Sequence, residues 1–418
     1  MVPAGRMLPF ILVTALFFLW GVPNNLNDIL ISQFMKSFEI NRLQAGLVQF
    51  AFYLGYFFLA IPAAQLMRRA GYKAGILVGL CLYGSGCLLF WPAAIITQYW
   101  VFLMALFVIA SGLSFLETAS SPFIIQVGDA ATAEQRINFS QAFNPLGSIT
   151  AVVLGSRFIF SGIELKPKQV AALQAQHTYH AYLRSETLRV VNPYLILGAV
   201  VLLWAVLIAL TPFPHAGLDY PKESRTHDTS KPLWKRKHFV FSVGAQFLYV
   251  GAQVGTWSFF IAYAMRYTEL TQRAAGYWLT AVLVAFTAGR FLSTWFLRYI
   301  SGARLLGVYA LLNAAICCIA ALWPGWLGVG CLIAVSFFMS IMYPTIFALG
   351  VKGLGQRTKS GSAFIVMSIV GGAALPLVMG LVPSVAQSYL APAVCFVGVA
   401  LYAWFLSKPE PEEMAGAA

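Results

Sequence analysis

Apolar residues in this chain are gathered into twelve long blocks, and the blocks dictate the fold class. They span 8–35, 43–67, 74–94, 99–125, 137–160 and 191–210, then 239–264, 274–297, 305–323, 327–351, 362–382 and 389–406. Each comes near the roughly 20 residues that an α-helix needs to cross a bilayer. In hydrocarbon the backbone must satisfy its own N–H and C=O groups, so such blocks fold as helices. An all-α membrane protein with twelve transmembrane helices is therefore expected. Only 10% of the 418 residues are charged, against about 25% in a soluble protein of this size. The first block is too long for the core of a cleavable leader and has no small-residue cleavage site behind it, so it is expected to remain as a span. Pro23, Pro122 and Pro344 lie inside blocks and predict kinks.

The net charge of +13 does not point to nucleic acid, because the basic residues lie between spans. With both termini on one side, the Lys and Arg of the loops divide 17 to 8 in favour of that side, which makes the termini cytoplasmic. The six cysteines all fall in apolar blocks and read as small buried hydrophobes. The five histidines lie in loops or at a block edge. No metal-ligand spacing, catalytic constellation or cofactor motif is present, so no metal, no cofactor and no enzyme activity is expected.

The stretch 211–238, rich in Pro, Lys, Ser and Thr, divides the chain into halves of six spans, 1–210 and 239–418. The loop 161–189 predicts a short amphipathic helix around Lys166–Tyr182. The fourth span holds Pro122 with Gly128 six residues on, and the tenth holds Pro344 with Gly350 at the same spacing. This faint repeat fits a duplicated transporter with an internal two-fold relation.

Of the fourteen acidic residues, only Asp28 and Glu117 lie well inside spans. An ionisable group there is costly, about 2.5–3.5 kcal/mol for a central Asp on insertion scales. A group kept at that cost either exchanges protons or sits as a structural acid beside an amide or Arg. Asp28 shares a helix face with Gly21, Asn25 and Ser32; Glu117 shares one with Ser114 and Ser121. Counted along the helices, Asp28 lies past the middle toward the outside and Glu117 past the middle toward the cytoplasm. That offset suits successive proton exchange with the two sides.

The fifth span aligns Gln141, Asn144 and Ser148; the seventh aligns Gln246, Tyr249, Gln253 and Trp257; the tenth adds Ser340 and Tyr343. Amides can grip sugar hydroxyls as both donor and acceptor, and aromatic faces can stack on the apolar side of a sugar ring. The same residues can equally glue helices together or form an interfacial belt. Arg290, a lone cation in the eighth span, has two readings: a partner for a carboxyl or carbonyls, or a side chain snorkelling from a helix end.

At these residues the chain resembles the fucose–galactose–glucose:proton symporter family of the major facilitator superfamily. The resemblance runs over nearly the whole chain. It is carried by FFLWGVPNNLND (Phe17 to Asp28), QAGLVQFAFYLGY (Gln44 to Tyr56), ETASSPF (Glu117 to Phe123), QAFNPLG (Gln141 to Gly147), QFLYVGAQ (Gln246 to Gln253) and YPTIFALG (Tyr343 to Gly350). Three departures stand out. The family's usual E-T-A-A-N-P has Ser121 in place of its Asn, Met342 stands where the fucose branch carries a Gln, and the acidic G-x-x-x-D-R-x-G-R-R signature is degraded to Gln65 through Lys73 without its Asp.

The resemblance implies the major facilitator fold, two six-helix bundles that alternate access to one central sugar site. It implies a functional monomer in the bacterial inner membrane, importing a monosaccharide with protons. L-fucose, or a close relative such as L-galactose or D-arabinose, is the expected sugar. The family's protonatable acids fall on Asp28 and Glu117, and its sugar-facing amides on Gln141 and Asn144 with Asn25 close by. A glucose, galactose or N-acetylhexosamine carrier, coupled to protons or sodium, and a non-transporting sugar sensor stand as alternatives.

Overall fold

The computed structural model describes residues 2–40, 44, 47–159, 167–213 and 232–407. The 211–238 linker lies mostly outside the described residues, as do the side chains of Asn25, Asp28 and Ser32. Among the described residues regular structure is helical throughout. The helices are α1 (Met7–Ser37), α2 (Leu47–Leu88), α3 (Phe90–Ile96), α4 (Tyr99–Gln126), α5 (Ala133–Gln141), α6 (Phe143–Phe158), α7 (Pro167–Ala175), α8 (Tyr179–Leu188) and α9 (Val191–Leu210). The second half follows with α10 (Lys237–Thr268), α11 (Gln272–Phe296), α12 (Gly302–Leu322), α13 (Trp326–Met339), α14 (Met342–Val351), α15 (Thr358–Met367), α16 (Gly371–Gly380) and α17 (Leu390–Leu401).

The twelve expected crossings are accounted for. Ten stretches are long and apolar enough to span a bilayer. One of them holds two crossings. At 42 residues, α2 would be about 63 Å long if straight, twice the thickness of the hydrocarbon core. It folds back at Gly71, whose φ of 81° lies in the left-handed region that a residue without Cβ adopts freely. The fifth crossing is broken at Ala142 into α5 and α6. The expected amphipathic segment is two helices, α7 and α8, separated near His177 with φ 56°. The fourth crossing keeps Pro122 inside one continuous helix.

The two halves repeat one packing scheme. In the first, α1 packs on α6, α2 on α4, and α9 on α2. In the second, α10 packs on α16, α11 and α12 on α13, and α17 on α12. The paired crossings are backbone against backbone. A Cβ added at Gly147 would meet the Phe18 carbonyl of α1, and one at Gly21 the Asn144 carbonyl of α6. The second half repeats this where a Cβ at Gly371 would meet the Phe247 carbonyl. Small residues at such seams let helices associate by close contact where lipid supplies no hydrophobic drive.

Glu186, a loop acid by sequence, is 1% exposed. It accepts from Gln33 at 3.1 Å and pairs with Lys36 at 3.0 Å, clamping α8 over the far end of α1. The cysteines are free thiols, and Cys81 departs from expectation by lying exposed on the apolar outer surface of α2. A thiol costs little against hydrocarbon, so apolar surroundings do not require burial within the protein.

The seam makes a test. Gly147→Ala is expected to destabilise the protein by about 1–3 kcal/mol through overpacking. Gly276→Ala, beside open space, should leave stability unchanged. Thermal unfolding in detergent, followed by tryptophan fluorescence, separates them; equal midpoints for both variants would refute the seam.

Candidate functional site

Among the described residues, several hydrogen bonds join the halves toward the face carrying the two termini. Asn138 on α5 donates to Thr345 Oγ1 on α14 at 3.2 Å. The Gly302 N–H at the start of α12 donates to Glu134 Oε2 at 2.8 Å. Lys359 Nζ donates to the Met67 carbonyl at 3.0 Å and sits 5.0 Å from the centre of the Tyr72 ring. Deeper in, Arg290 Nη1 on α11 donates to the Gln141 carbonyl at 2.9 Å.

Above these contacts the halves part around a cavity of about 520 Å³, within the size range of small-molecule sites. Its upper walls include Gln49 and Tyr53 from the start of α2, Ser258 and Ile261 from the far part of α10, and Leu279 from the first turns of α11. These positions lie toward the membrane face opposite the termini, so the cavity belongs to that side. Phe17, Trp20 and Asn24 of α1 line it from one half, and Gln253 and Trp257 from the other.

The floor is polar. Glu117 is 6% exposed and its Oε1 accepts from Ser121 Oγ at 3.2 Å. The Tyr343 hydroxyl of the second half faces this carboxyl, within electrostatic reach and outside strict hydrogen-bond geometry. Arg290 lies in the same electrostatic neighbourhood. Its Nε donates to the Ser340 carbonyl at 2.6 Å, and its guanidinium stacks 4.7 Å from the Phe286 ring centre. Phe286 in turn meets Trp257 edge-on at 5.1 Å, and Trp257 Nε1 donates to Ser336 Oγ at 3.1 Å. An aromatic wall thus runs from the middle of the cavity down to the cation at its floor.

Of the residues singled out by sequence, Glu117, Gln141, Asn144, Gln253, Trp257 and Tyr343 line this one cavity. The Gln141 side-chain nitrogen is buried and has no partner among the described residues. Asn25 and Asp28 follow Asn24 along α1, and their side chains lie outside the described ones. Gln246 and Tyr249 lie elsewhere. Both are fully buried within the second half and do not line the cavity. The cavity ends above them: the Tyr249 ring lies beside Tyr343, 6.5 Å between centres, beneath the floor.

Arg290 resolves in favour of carbonyl partners. The sequence reading missed Trp20, Gln49, Tyr53, Tyr56 and Phe286. A signal existed for three of these, since Gln49, Tyr53 and Tyr56 recur at i, i+4 and i+7 on one helix face. Among the described residues no cluster could hold a metal ion.

The model of the Major Facilitator Superfamily matches residues 10–379. The chain is 44% identical over 412 residues to the L-fucose-proton symporter of Escherichia coli K12, covering 96% of this chain and 94% of that one. It is 34% identical over 406 residues to a glucose/galactose transporter of Brucella abortus, covering 95% and 93%. A crystal structure of the transporter FucP in the outward conformation superposes with a TM-score of 0.87 at 43% identity, covering 97% of this chain and all of that one. The xylose symporter XylE, 14% identical with a TM-score of 0.68, shares the fold alone. The duplicated helix packing, the central cavity and these likenesses agree: this chain is a multi-pass membrane protein that belongs to the Major Facilitator Superfamily.

Proposed function

We propose that this protein is a proton-coupled monosaccharide symporter with L-fucose, or a sugar of closely related shape, as its substrate. The observation that carries the reading is Glu117: an acid held at the floor of an open cavity, at the point where the two halves meet. The 44% identity to a fucose-proton symporter supports the sugar. Glucose or galactose stands second, on relatives at 34% identity. The excess of basic residues on the terminus side supports cytoplasmic termini in a bacterial inner membrane, so the cavity faces outward.

In the proposed cycle Asp28 takes a proton from outside and sugar enters between the halves. Its hydroxyls meet Gln141, Asn144 and Gln253, and its apolar face meets Trp257. Protonated acids carry no charge, so the floor can lose contact with Arg290 without stranding an anion in hydrocarbon. The halves 1–210 and 239–418 then rock, the latches on the terminus side part, and sugar and proton leave inward. A potential of 100 mV supplies about 2.3 kcal/mol per proton, close to fiftyfold accumulation.

Four measurements test this. In proteoliposomes Asp28→Asn is expected to abolish proton-driven fucose uptake; uptake at the wild-type level would remove Asp28 from the mechanism. Glu117→Gln is expected to keep sugar counterflow while its accumulation ratio falls from about fifty toward one. Loss of both activities alike would make Glu117 structural. Glu134→Ala removes the acceptor of the Gly302 N–H, a charged bond contributing about 1.5–3 kcal/mol. It should move the population toward the inward-facing state, seen as slower labelling of Ser258→Cys by an impermeant maleimide. Competition of labelled fucose by glucose, galactose and N-acetylglucosamine, with and without sodium, separates the remaining sugar readings.

A further inference from the structure

A second cavity, of about 360 Å³, lies outside the sugar path in the terminus half of the molecule. It is a slot between the start of α1, α5 and the last turns of α11, so one wall belongs to each half. Four of its apolar side chains are open to the surroundings: Met7 is 42% exposed, Phe139 40%, Phe291 39% and Trp295 47%. In a multi-pass membrane protein such side chains at span positions meet hydrocarbon, so the slot opens sideways to the bilayer.

Its mouth carries positive charge. Arg298, just past the end of α11, is exposed, and its guanidinium has no recorded hydrogen bond or ion pair among the described residues. Trp295 meets Tyr299 edge-on at 5.4 Å, and Tyr299 is 72% exposed; Trp and Tyr together mark the depth of the headgroups. Arg136 lies in the wall, 1% exposed. Its guanidinium donates to the carbonyls of Ile124, Ile125 and Asp129 and to the Thr132 hydroxyl. It is a cation fixed in place beside the slot. Apolar walls below and a cation at headgroup level above match a molecule with acyl chains and an anionic head.

We propose that this slot binds one anionic phospholipid from the leaflet on the terminus side. Its phosphate lies on Arg298 and an acyl chain runs along Phe139 and Phe291. Because Phe139 belongs to the first half and Phe291 to the second, rocking of the halves changes the width of the slot. The bound lipid therefore favours the state in which the terminus side is closed, by having affinity for that state over the other.

Native mass spectrometry of the full chain in detergent, titrated with dioleoyl phosphatidylglycerol or dioleoyl phosphatidylcholine, tests the site. Wild type should retain the anionic lipid about fivefold better, the contribution of one interfacial cation. Arg298→Ala should erase that preference, whereas Arg69→Ala, away from the slot, should keep it. Phe291→Trp, which fills the slot, should lower retention of both lipids. Phosphatidylglycerol should also speed labelling of Ser258→Cys, and this effect should vanish in Arg298→Ala. Equal retention of both lipids by wild type, an undiminished preference in Arg298→Ala, or displacement of the lipid by millimolar inorganic phosphate alone would overturn the proposal.

Discussion

A carboxyl and a guanidinium buried at one level, on opposite halves of the molecule, set the terms for everything around them. Neither Glu117 nor Arg290 can lie in hydrocarbon unaided, since a buried charge without hydrogen bonds costs several kcal/mol. The chain answers with Ser121 and Tyr343 around the acid and with two carbonyls and an aromatic face around the cation. The carbonyl that Arg290 holds across the divide is that of Gln141, a residue that lines the cavity. The acid's electrostatic partner and a candidate sugar ligand are thus tied by one bond. In the proposed cycle, proton and sugar act on a shared contact, which is what coupling between two ligands requires.

The fold makes this possible by repeating one frame and decorating its halves differently. The α1–α6 and α10–α16 crossings use the same device, a glycine pressed on a backbone carbonyl. Such crossings hold each half rigid. The first half brings the acid and the amides Gln141 and Asn144; the second brings Trp257, Phe286, Arg290 and Tyr343. A site built in this way is complete only when both frames face one another, so its geometry reports their relative position.

The helical membrane architecture was legible because hydrocarbon imposes it: apolar length predicts crossings. Local breaks were less legible. Gly71 turns a chain back within what is otherwise unbroken helix, and the fifth crossing breaks at Ala142, three residues before Pro145, which has no N–H to offer the Gln141 carbonyl. Periodicity groups candidate residues on a helix face without saying how far along it a cavity reaches. Periodicity placed Gln246, Tyr249, Gln253 and Trp257 on one face of α10, but only the last two reach the cavity. Where a cavity ends is decided by contact between halves, a tertiary fact that periodicity does not encode. Glu186 was hidden for a related reason, because its burial depends on Lys36 and Gln33, more than a hundred residues away.

Magnitudes restrict how such a molecule can move. Among the described residues, hydrogen bonds between the halves that involve a charged side chain include those of Glu134, Arg290 and Lys359. Another joins Asn138 to Thr345. Breaking these four with nothing in exchange costs about 5–10 kcal/mol. One proton crossing 100 mV supplies about 2.3 kcal/mol. The proton therefore cannot force the latches open by itself. The opposite side, where Tyr53, Ile261 and Leu279 line the upper cavity, must form contacts of comparable total strength as it closes. The two states then differ by little, as in other rigid-body switches whose interfaces are bistable. A gap that small can be crossed by protonation of one acid and burial of one sugar.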